Sequence, residues 1–303
     1  MRWHVLGAGS LGLLWAGRLS TNGLAVTLIL RNADSLKAYA ASGAICINHH
    51  AQQKRVALPA QTATAPEPIQ RLILACKAYD AENAIASIAG RLAEGASVLV
   101  LQNGLGSQAA VAALIPQARC ILLSSTEGAF RDGNFSVNFA GQGQNWLGDP
   151  QNPTPPDWLP ELQQAAIPGE WTTSIEARQW RKLAINCAIN PLCVLYNCRN
   201  GELLEHLPDV AELCNELGAL LEQCAGRTAG LGLFDEVQRV LQATASNHCS
   251  MLQDVQRGQR TEIRYLLGFA CAQARLQGLP VPRLDALQQR LRNHLQALGL
   301  PDD

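Results

Sequence analysis

Short apolar runs alternate with helical patterns through the first half of the chain. The runs that predict strands are 3–6, 25–30, 71–76, 97–101 and 120–124. Helical patterns lie between them, including one from about Asp80 to Leu92. Strands that alternate with helices are typical of a doubly wound, mainly parallel sheet. Later strands at 135–139, 146–148 and 169–172, a proline-rich loop at 149–160 and a short helix around Leu162 complete this part.

After residue 172 only helical patterns remain. The first runs from Ser174 to Asn190 and is predicted to stop at Pro191, because proline lacks the N–H that a helix interior needs. Further helices are predicted at about 209–225, 235–254 and 261–277, with a last one beyond Pro282. We therefore predict an α/β fold, with a Rossmann-type doubly wound sheet at residues 1–172 and an all-α domain at 173–303. A ligand is expected in a cleft between the two domains.

A glycine-rich turn joins the first strand to the first helix. It has the GxGxxG pattern and consists of Gly7, Ala8, Gly9, Ser10, Leu11 and Gly12. In this pattern the first glycine permits a tight turn, the second lets backbone approach a pyrophosphate, and the third lets helix and strand pack closely. The helix N-terminus then offers N–H groups to phosphates. The correct strand and helix around the motif favour a dinucleotide site over a chance cluster of glycines.

The end of the second strand bears on which dinucleotide binds. Enzymes that use NAD usually place an acidic residue there to bind the ribose 2′-hydroxyl. Here Arg31 occupies that place, and the first acidic residue is Asp34. A guanidinium binds a 2′-phosphate in a bidentate manner, so the sequence indicates NADP(H). The alternative is a solvated surface arginine.

Three further residues follow predicted strands, at the edge where ligands bind in a doubly wound sheet. Lys77 follows the third run, Asn103 the fourth, and Ala129 lies just after the fifth. Each is also compatible with an ordinary loop or turn. Their shared location favours a contribution to cofactor binding.

The helix predicted from Ser174 carries a stripe of polar residues in an apolar setting. Lys182, Asn186 and Asn190 are spaced by four and fall within roughly 80° of one another around the helix axis. Polar groups in such a setting need partners, and a ligand is one possibility. A lysine that extends into water, or helix capping by Asn190 next to Pro191, would be the structural explanations.

Composition narrows the class of protein. The 303 residues include 24 basic and 25 acidic side chains without a basic block, so nucleic acid and anionic membranes are not expected partners. No apolar run approaches a transmembrane span. The ten cysteines form no CxxC pair, and no HxxxH or HExxH pattern occurs. We expect reduced thiols, a cytoplasmic location and no metal site.

Taken together, several segments resemble the ketopantoate reductases (2-dehydropantoate 2-reductases). They run through the whole chain in family order: GAGSLG at 7–12, QNG at 102–104, WRKLAIN at 180–186, INPL at 189–192, NGEL at 200–203, SMLQD at 250–254 and TEI at 261–263. The region from about Cys46 to Pro59, with His49 and His50, matches no family motif, and no role is predicted for it.

The resemblance implies NADPH-dependent reduction of 2-dehydropantoate to pantoate, a step towards coenzyme A. It implies that Lys182 is the general acid and Glu262 its partner, which also contacts the cofactor. The residues implied to contact the substrate are Asn103, Lys182, Asn186, Asn190, Asn200 and Ser250. Those implied to hold NADPH, beside the glycine turn, are Arg31, Lys77, Asn103 and Ala129.

The residue types agree with this chemistry. An ammonium can stabilise charge that develops on a ketone oxygen and donate the proton. An apolar setting lowers the pKa of a lysine, while a carboxylate such as Glu262 opposes that fall. A helix continuous from Ser250 to Glu262 would hold them about 120° apart, so a break near Gly258 is expected. The alternatives are a reductase of another 2-oxo acid or a non-catalytic NADP(H)-sensing protein.

Overall fold

An eight-stranded sheet forms the centre of the first half of the chain in the computed structural model, which describes residues 1–303. The strands are β1 Trp3–Leu6, β2 Val26–Leu30, β3 Ile45–His49, β4 Gln52–Val56, β5 Ala60–Thr62, β6 Ile69–Leu74, β7 Leu92–Val100, β8 Arg119–Ser125, β9 Gly128–Arg131, β10 Ser136–Gly141, β11 Asn145–Gly148 and β12 Gly169–Trp171. The order across the large sheet is β12-β11-β8-β7-β6-β1-β2-β5. From β5 to β8 neighbouring strands are parallel, and β11 pairs antiparallel with β8. The predicted doubly wound sheet is confirmed.

The helices are α1 Ser10–Thr21, α2 Ala33–Ser42, α3 Ala81–Ala86, α4 Ser107–Leu114, α5 Leu159–Gln164, α6 Ile175–Tyr196, α7 Leu207–Ala225, α8 Leu233–Ala243, α9 Ser250–Gln256, α10 Leu267–Leu276 and α11 Pro282–Ala297. Short 3-10 helices cover Ala78–Asp80, Ala89–Arg91, Asn200–His206 and Ile263–Tyr265. The helix predicted from Asp80 to Leu92 was therefore too long, since β7 already begins at Leu92.

The chain forms two compact units whose boundary is not a single cut. The first contains residues 1–102 and 107–175, and the second contains 176–303 together with the short segment 103–106. Strands β1 and β2 are buried along their whole length, as expected for parallel strands covered on both faces. No strand occurs after residue 171, which confirms the predicted all-α C-terminal part.

A second sheet of four strands, in the order β4-β3-β10-β9, packs against α1. Its β3–β4 hairpin is formed by the segment around His49 and His50 for which the sequence predicted no role. Gly17 of α1 permits this packing, because a Cβ there would lie 2.2 Å from Ile47 Cδ1. Burying Ile45 and Val137 against α1 supplies the apolar contact that a small sheet needs.

The buried carboxylate of Glu127 bonds α1 to the chain just before β9. Trp15 Nε1 donates to Glu127 Oε2 at 2.7 Å, and Arg18 Nη1 donates to Glu127 Oε1 at 2.5 Å. The Arg18 guanidinium also lies 4.4 Å from the centroid of the Phe139 ring in β10. A carboxylate whose side chain is fully buried is tolerable only with such partners.

The helical unit departs from the sequence prediction at α6. The predicted stop at Pro191 was wrong, because α6 continues through Pro191 to Tyr196. Proline at this position costs the hydrogen bond to the carbonyl of Cys187. The residues that follow, Leu192, Cys193 and Val194, are almost fully buried in the helical core, and their burial offsets that cost.

The segment predicted as one helix at 235–254 is two helices, α8 and α9, separated by 244–249. The break expected near Gly258 is confirmed, since α9 ends at Gln256 and Gly258 adopts a φ of +64°. The helix predicted from Thr261 begins instead as the 3-10 turn Ile263–Tyr265, and α10 follows from Leu267.

All ten cysteines are free thiols. Burial is the main cause that raises the pKa of Cys120, Cys214 and Cys271 to about 12, so these thiols stay protonated at neutral pH. None of the helices combines the length and the apolar character that a membrane span requires.

Candidate active site

The glycine turn lies where β1 ends and α1 begins. Gly7 has a φ of +102°, which favours glycine, and its amide donates to the carbonyl of Ile29 at 3.1 Å. A Cβ on Gly9 would lie 2.5 Å from the carbonyl oxygen of Ala75, and one on Gly12 would lie 2.6 Å from Ala75 Cβ. The turn is thus packed directly against the chain that leaves β6, and two of its glycines have no space for a side chain.

The N-terminus of α1 is suited to an anion. Gly9 is the N-cap and provides no side-chain cap, and the first turn contains no acidic residue. The N–H groups of Ser10, Leu11 and Gly12 therefore have no partner within the helix and carry the positive end of its dipole. Ala8 and Leu11 are half-buried in the turn.

Arg31 directly follows β2, the neighbour of β1 in the sheet. Its side chain is exposed, and no ion pair with a protein carboxylate holds the guanidinium. The next residue, Asn32, caps α2 by accepting the Ser35 amide at 2.8 Å. Arg31 is therefore held by a fixed backbone while its charge stays available.

The other two predicted edge residues have different settings. Lys77 is half-buried and is the N-cap of the 3-10 turn Ala78–Asp80, two residues after Ala75 packs on the glycine turn. Ala129 lies within β9 of the second sheet, paired with Phe139, so it is not in a loop at the end of β8. The chain leaves β8 at Ser125 and enters β9 at Gly128, so Ala129 lies close after the end of β8, and its contribution to cofactor binding stays a prediction.

Lys182 lies on α6, and its ammonium Nζ donates to Asn103 Oδ1 at 2.9 Å. The side chain is partly buried, with the apolar Leu183 and Ala184 beside it in the core. Burial lowers the pKa of Lys182 to about 8, and the negative charge of Glu262 acts in the opposite direction. The structure therefore brings together three predicted residues from distant parts of the chain: Lys182, Asn103 and Glu262.

The remaining members of the polar stripe follow Lys182 along α6. Asn186 is half-buried, and Asn190 is 4% exposed. The backbone carbonyl of Asn190 accepts the Cys249 thiol at 3.8 Å, which leaves its side-chain amide to other partners. Asn190 lies inside α6 rather than at its end, so the helix-capping explanation does not apply.

Asn200 is buried and held by protein groups. Its Nδ2 donates to Thr244 Oγ1 at 2.8 Å, and its Oδ1 accepts the Cys193 thiol at 3.5 Å. It is the first residue of the 3-10 helix, which is capped by Arg199 rather than by Asn200. The side-chain Nδ2 of Asn200 can still donate one further hydrogen bond, and its Oδ1 can still accept one.

Ser250 is exposed and begins α9, directly after Cys249. Cys249 joins this position to Asn190 through the thiol-to-carbonyl contact. Asn190 and the start of α9 are therefore neighbours, whereas Glu262 is reached only after the chain has left α9.

Comparison with known proteins identifies the family. Residues 3–152 match the family "Ketopantoate reductase PanE/ApbA", and residues 174–295 match its C-terminal family. The chain belongs to the ketopantoate reductase family. The predicted resemblance is thereby confirmed.

Relatives and solved structures of ketopantoate reductases agree over nearly the whole chain. The 2-dehydropantoate 2-reductase of Escherichia coli O157:H7 is 32% identical over 99% of this chain and 98% of its own length. That of Halobacterium salinarum is 31% identical over 96% and 98%. A ketopantoate reductase from Ralstonia eutropha JMP134 superposes with a TM-score of 0.86 at 22% identity, covering 99% of this chain and 100% of that one.

The same fold occurs with a different named activity. D-mandelate dehydrogenase, solved with NADH and anilino(oxo)acetate, superposes with a TM-score of 0.88 at 20% identity, covering 99% and 100% of the two chains. At that identity the likeness concerns the fold alone.

Sequence reasoning missed two residues that support the candidate site, Gln102 and Thr244. Gln102 Nε2 donates to the carbonyls of Leu74 and Cys76 at 3.0 and 3.1 Å, which ties the end of β7 to the end of β6. Thr244 holds Asn200, as described above. The position of Gln102 next to Asn103 was a signal that could have revealed it, whereas nothing in the local sequence marks Thr244.

Proposed function

We propose that this protein reduces 2-dehydropantoate to pantoate with NADPH, using Lys182 as general acid. The observation that carries the proposal is the partly buried Lys182 ammonium, which donates a hydrogen bond to Asn103 Oδ1 at 2.9 Å and whose pKa is lowered to about 8. The names of relatives support the substrate, since proteins that are 31–32% identical to this chain are called 2-dehydropantoate 2-reductases.

The residues present fit a phosphorylated dinucleotide. The α1 N-terminus has neither a side-chain cap nor an acidic first turn, so the amides of Ser10, Leu11 and Gly12 would bind the pyrophosphate. The exposed guanidinium of Arg31 would bind the 2′-phosphate. Lys77, Asn103, Ala129 and Glu262 would complete the cofactor site. When bound, NADPH supplies the hydride that reduces the ketone carbon.

Lys182 would act on the ketone oxygen. Its ammonium stabilises the negative charge that develops there and passes one proton to the oxygen, so that the ketone becomes an alcohol. A pKa near 8 makes Lys182 a stronger acid than an ordinary lysine while it remains mostly protonated at neutral pH. The Glu262 carboxylate keeps the pKa from falling further and favours the protonated form.

Uncharged polar groups would orient the substrate beside that ammonium. Asn186 and Asn190 lie on the same face of α6 as Lys182, and Asn190 lies near Ser250 at the start of α9. Asn200, with one donor and one acceptor still available, would add a third amide. Amides and a hydroxyl bind a small hydroxylated oxo acid without adding charge of their own.

The first test is a survey of cofactors and 2-oxo acids with the purified protein. We expect NADPH oxidation, followed by absorbance, to be fastest with 2-dehydropantoate. Pyruvate, 2-oxoisovalerate and phenylglyoxylate serve as comparison substrates, the last because an aromatic 2-oxo acid suits a mandelate dehydrogenase. A markedly higher kcat/KM for one of these would overturn the substrate assignment, and no turnover with any of them would favour a sensing protein.

The cofactor assignment is tested with Arg31→Ala in the same assay. Loss of the guanidinium should raise the KM for NADPH by about 10-fold or more and leave that for NADH nearly unchanged, because a charge-assisted pair with phosphate contributes about 1.5–3 kcal/mol. The exposed Arg55 of β4 provides a matched control, Arg55→Ala. An unchanged preference between the two cofactors in Arg31→Ala would remove Arg31 from the 2′-phosphate site.

A further inference from the structure

The segment 103–106 lies against the 3-10 turn Ile263–Tyr265. The Leu105 amide donates to the Tyr265 carbonyl at 2.8 Å, and a Cβ on Gly106 would lie 3.1 Å from the Phe269 ring. Leu105 is buried with the core of the helical unit. These contacts are the reason that four residues from the first half of the chain belong to the helical unit.

Gly104 is the point of closest approach in this arrangement. Its φ is +78°, and a Cβ there would lie 2.2 Å from the Tyr265 carbonyl oxygen and 2.7 Å from its carbonyl carbon. Both are backbone atoms of a hydrogen-bonded turn, so they cannot move aside as a flexible side chain would. Any side chain at 104 must therefore push the segment away from Tyr265.

The same turn carries the second group that acts on Lys182. The amides of Tyr265 and Leu266 donate to the Glu262 carbonyl at 3.0 and 3.1 Å, which fixes Glu262 to the turn on which Gly104 rests. Asn103 precedes Gly104, and Glu262 precedes the turn. Asn103 accepts the hydrogen bond of Lys182, and Glu262 raises its pKa. Both residues thus adjoin the same contact, the one between Gly104 and Tyr265.

We propose that Gly104 is a positioning residue that seats Asn103 on the Glu262–Tyr265 turn, so that Lys182 is held between Asn103 and Glu262. Its catalytic consequence rests on the proposed function of Lys182. A lysine has a long flexible side chain, and a hydrogen bond to a fixed oxygen, here Asn103 Oδ1, keeps the ammonium in one place.

The test measures the Lys182 ammonium directly, without substrate. The chain has four lysines, Lys37, Lys54, Lys77 and Lys182, so protein labelled with [ε-13C]lysine should give few, resolvable NMR signals. In Gly104→Ala the Asn103 oxygen moves away from the ammonium, which disfavours the charged form. We expect the pKa of Lys182 to fall below the wild-type value, and kcat to fall by about 10-fold or more with KM for NADPH within about 3-fold.

A matched control separates this effect from backbone strain. Gly278 has a φ of +65° in the same unit, and nothing lies within 4 Å of the position of its Cβ. Gly278→Ala should therefore leave both the Lys182 titration and kcat unchanged. A double-mutant cycle with Asn103→Ala tests whether Gly104 acts through Asn103. If it does, Gly104→Ala should change the Lys182 pKa and kcat little further once Asn103 is replaced.

Each outcome decides the proposal. An unchanged Lys182 titration in folded Gly104→Ala, or fully additive effects in the cycle, would overturn it. Should Gly104→Ala fail to fold, Gly106→Ala produces a milder displacement, because its Cβ meets the edge of the Phe269 side chain; the Lys182 pKa should then fall less but in the same direction, and no change would overturn the proposal. If the wild type does not reduce 2-dehydropantoate, the proposed function fails while the titration still tests the seating.

Discussion

At the scale of single residues, Lys182 is the side chain on which two opposing effects act. Burial removes water from the ammonium and lowers its pKa, whereas the Glu262 carboxylate raises it. Burial is the larger effect, and the resulting pKa of about 8 lies below the value of about 10.4 for a free lysine. With its pKa still above 7, Lys182 remains mostly protonated at neutral pH and gives up its proton more readily than an ordinary lysine.

Substitution of Lys182 tests the general-acid role. Lys182→Ala should lower kcat for the reduction by about 10²–10⁴-fold, because a positioned general acid contributes that much, while the dissociation constant for NADPH changes little. Lys37→Ala, at an exposed position of α2, is the control and should behave as wild type. Near-normal turnover by Lys182→Ala, with NADPH binding intact, would contradict the assignment.

The pH profile of the reduction should show the same group. The acid must be protonated, so kcat should be constant below the pKa and decline as pH rises through about 8. Glu262→Gln removes the charge that raises the pKa of Lys182, so the decline should then begin at lower pH. A decline that begins at higher pH in Glu262→Gln would mean that Glu262 does not act on Lys182 in this way.

The sequence predicted the Lys182 stripe well and its partners only through family resemblance. Spacing by four places Lys182, Asn186 and Asn190 on one face of a helix, and this requires no knowledge of tertiary structure. The bond from Lys182 to Asn103 joins residues 79 positions apart, and no local pattern encodes it. The same holds for Asn200, whose amide is held by Thr244, 44 positions away.

At the scale of elements, the break between α8 and α9 has a tertiary cause. The sequence at 244–249, TASNHC, contains neither proline nor glycine, and a continuous helix was predicted. In the structure the backbone carbonyls of this segment accept hydrogen bonds from another part of the chain. The backbone N–H of Asn200 donates to the Asn247 carbonyl, and that of Gly201 donates to the Ala245 carbonyl. A Cβ on Gly201 would lie 2.6 Å from Ala245 Cβ, so the two segments are in tight contact. Local propensity could not reveal this.

Substitution of Thr244, at the break between α8 and α9, tests whether this residue is needed to hold the Asn200 side chain. Its hydroxyl accepts Asn200 Nδ2 and donates to the Val240 carbonyl, which fixes the orientation of the amide. Thr244→Val keeps the shape and removes the hydroxyl, so KM for the oxo acid should rise about 5–10-fold, as expected for one lost hydrogen bond of about 1–1.5 kcal/mol. Thr244→Ser restores the hydroxyl and should restore KM. Equal KM values in all three proteins would show that Asn200 does not need this support.

At the scale of the whole molecule, the large sheet and the helical unit were largely predictable, whereas the sequence marked only one strand of the small sheet, β10, as the predicted strand at 135–139. Short, nearly continuous apolar runs marked β1, β2, β6, β7 and β8 because those strands are largely buried. Strand β4 consists largely of exposed polar residues, from Gln52 to Arg55, and β3 pairs in parallel with the distant β10. A strand with so little apolar character, paired across such a separation, leaves no periodic signal in its own sequence.

The attachment of this small sheet should depend on Glu127. Glu127→Ala removes the partner of the Trp15 and Arg18 donors, and breaking such a buried pair costs about 3 kcal/mol. Five of the six tryptophans lie in the first unit, so urea unfolding followed by tryptophan fluorescence reports mainly on that unit. Glu212→Ala, at an exposed ion pair with Arg283, is the control and should change stability by less than about 1 kcal/mol. Equal effects of the two variants would contradict the structural role of Glu127.

The short segment 103–106 also bears on how the protein is made. These four residues leave the ribosome before any helix of the unit they join, and at about 5–20 residues per second Lys182 follows Asn103 by about 4–16 s. A fragment that starts at residue 176 would lack Leu105 and leave the Tyr265 carbonyl without its donor. Residues 176–303 alone therefore do not contain the whole helical unit, and a circular permutation or domain exchange that keeps these contacts must carry 103–106 with it.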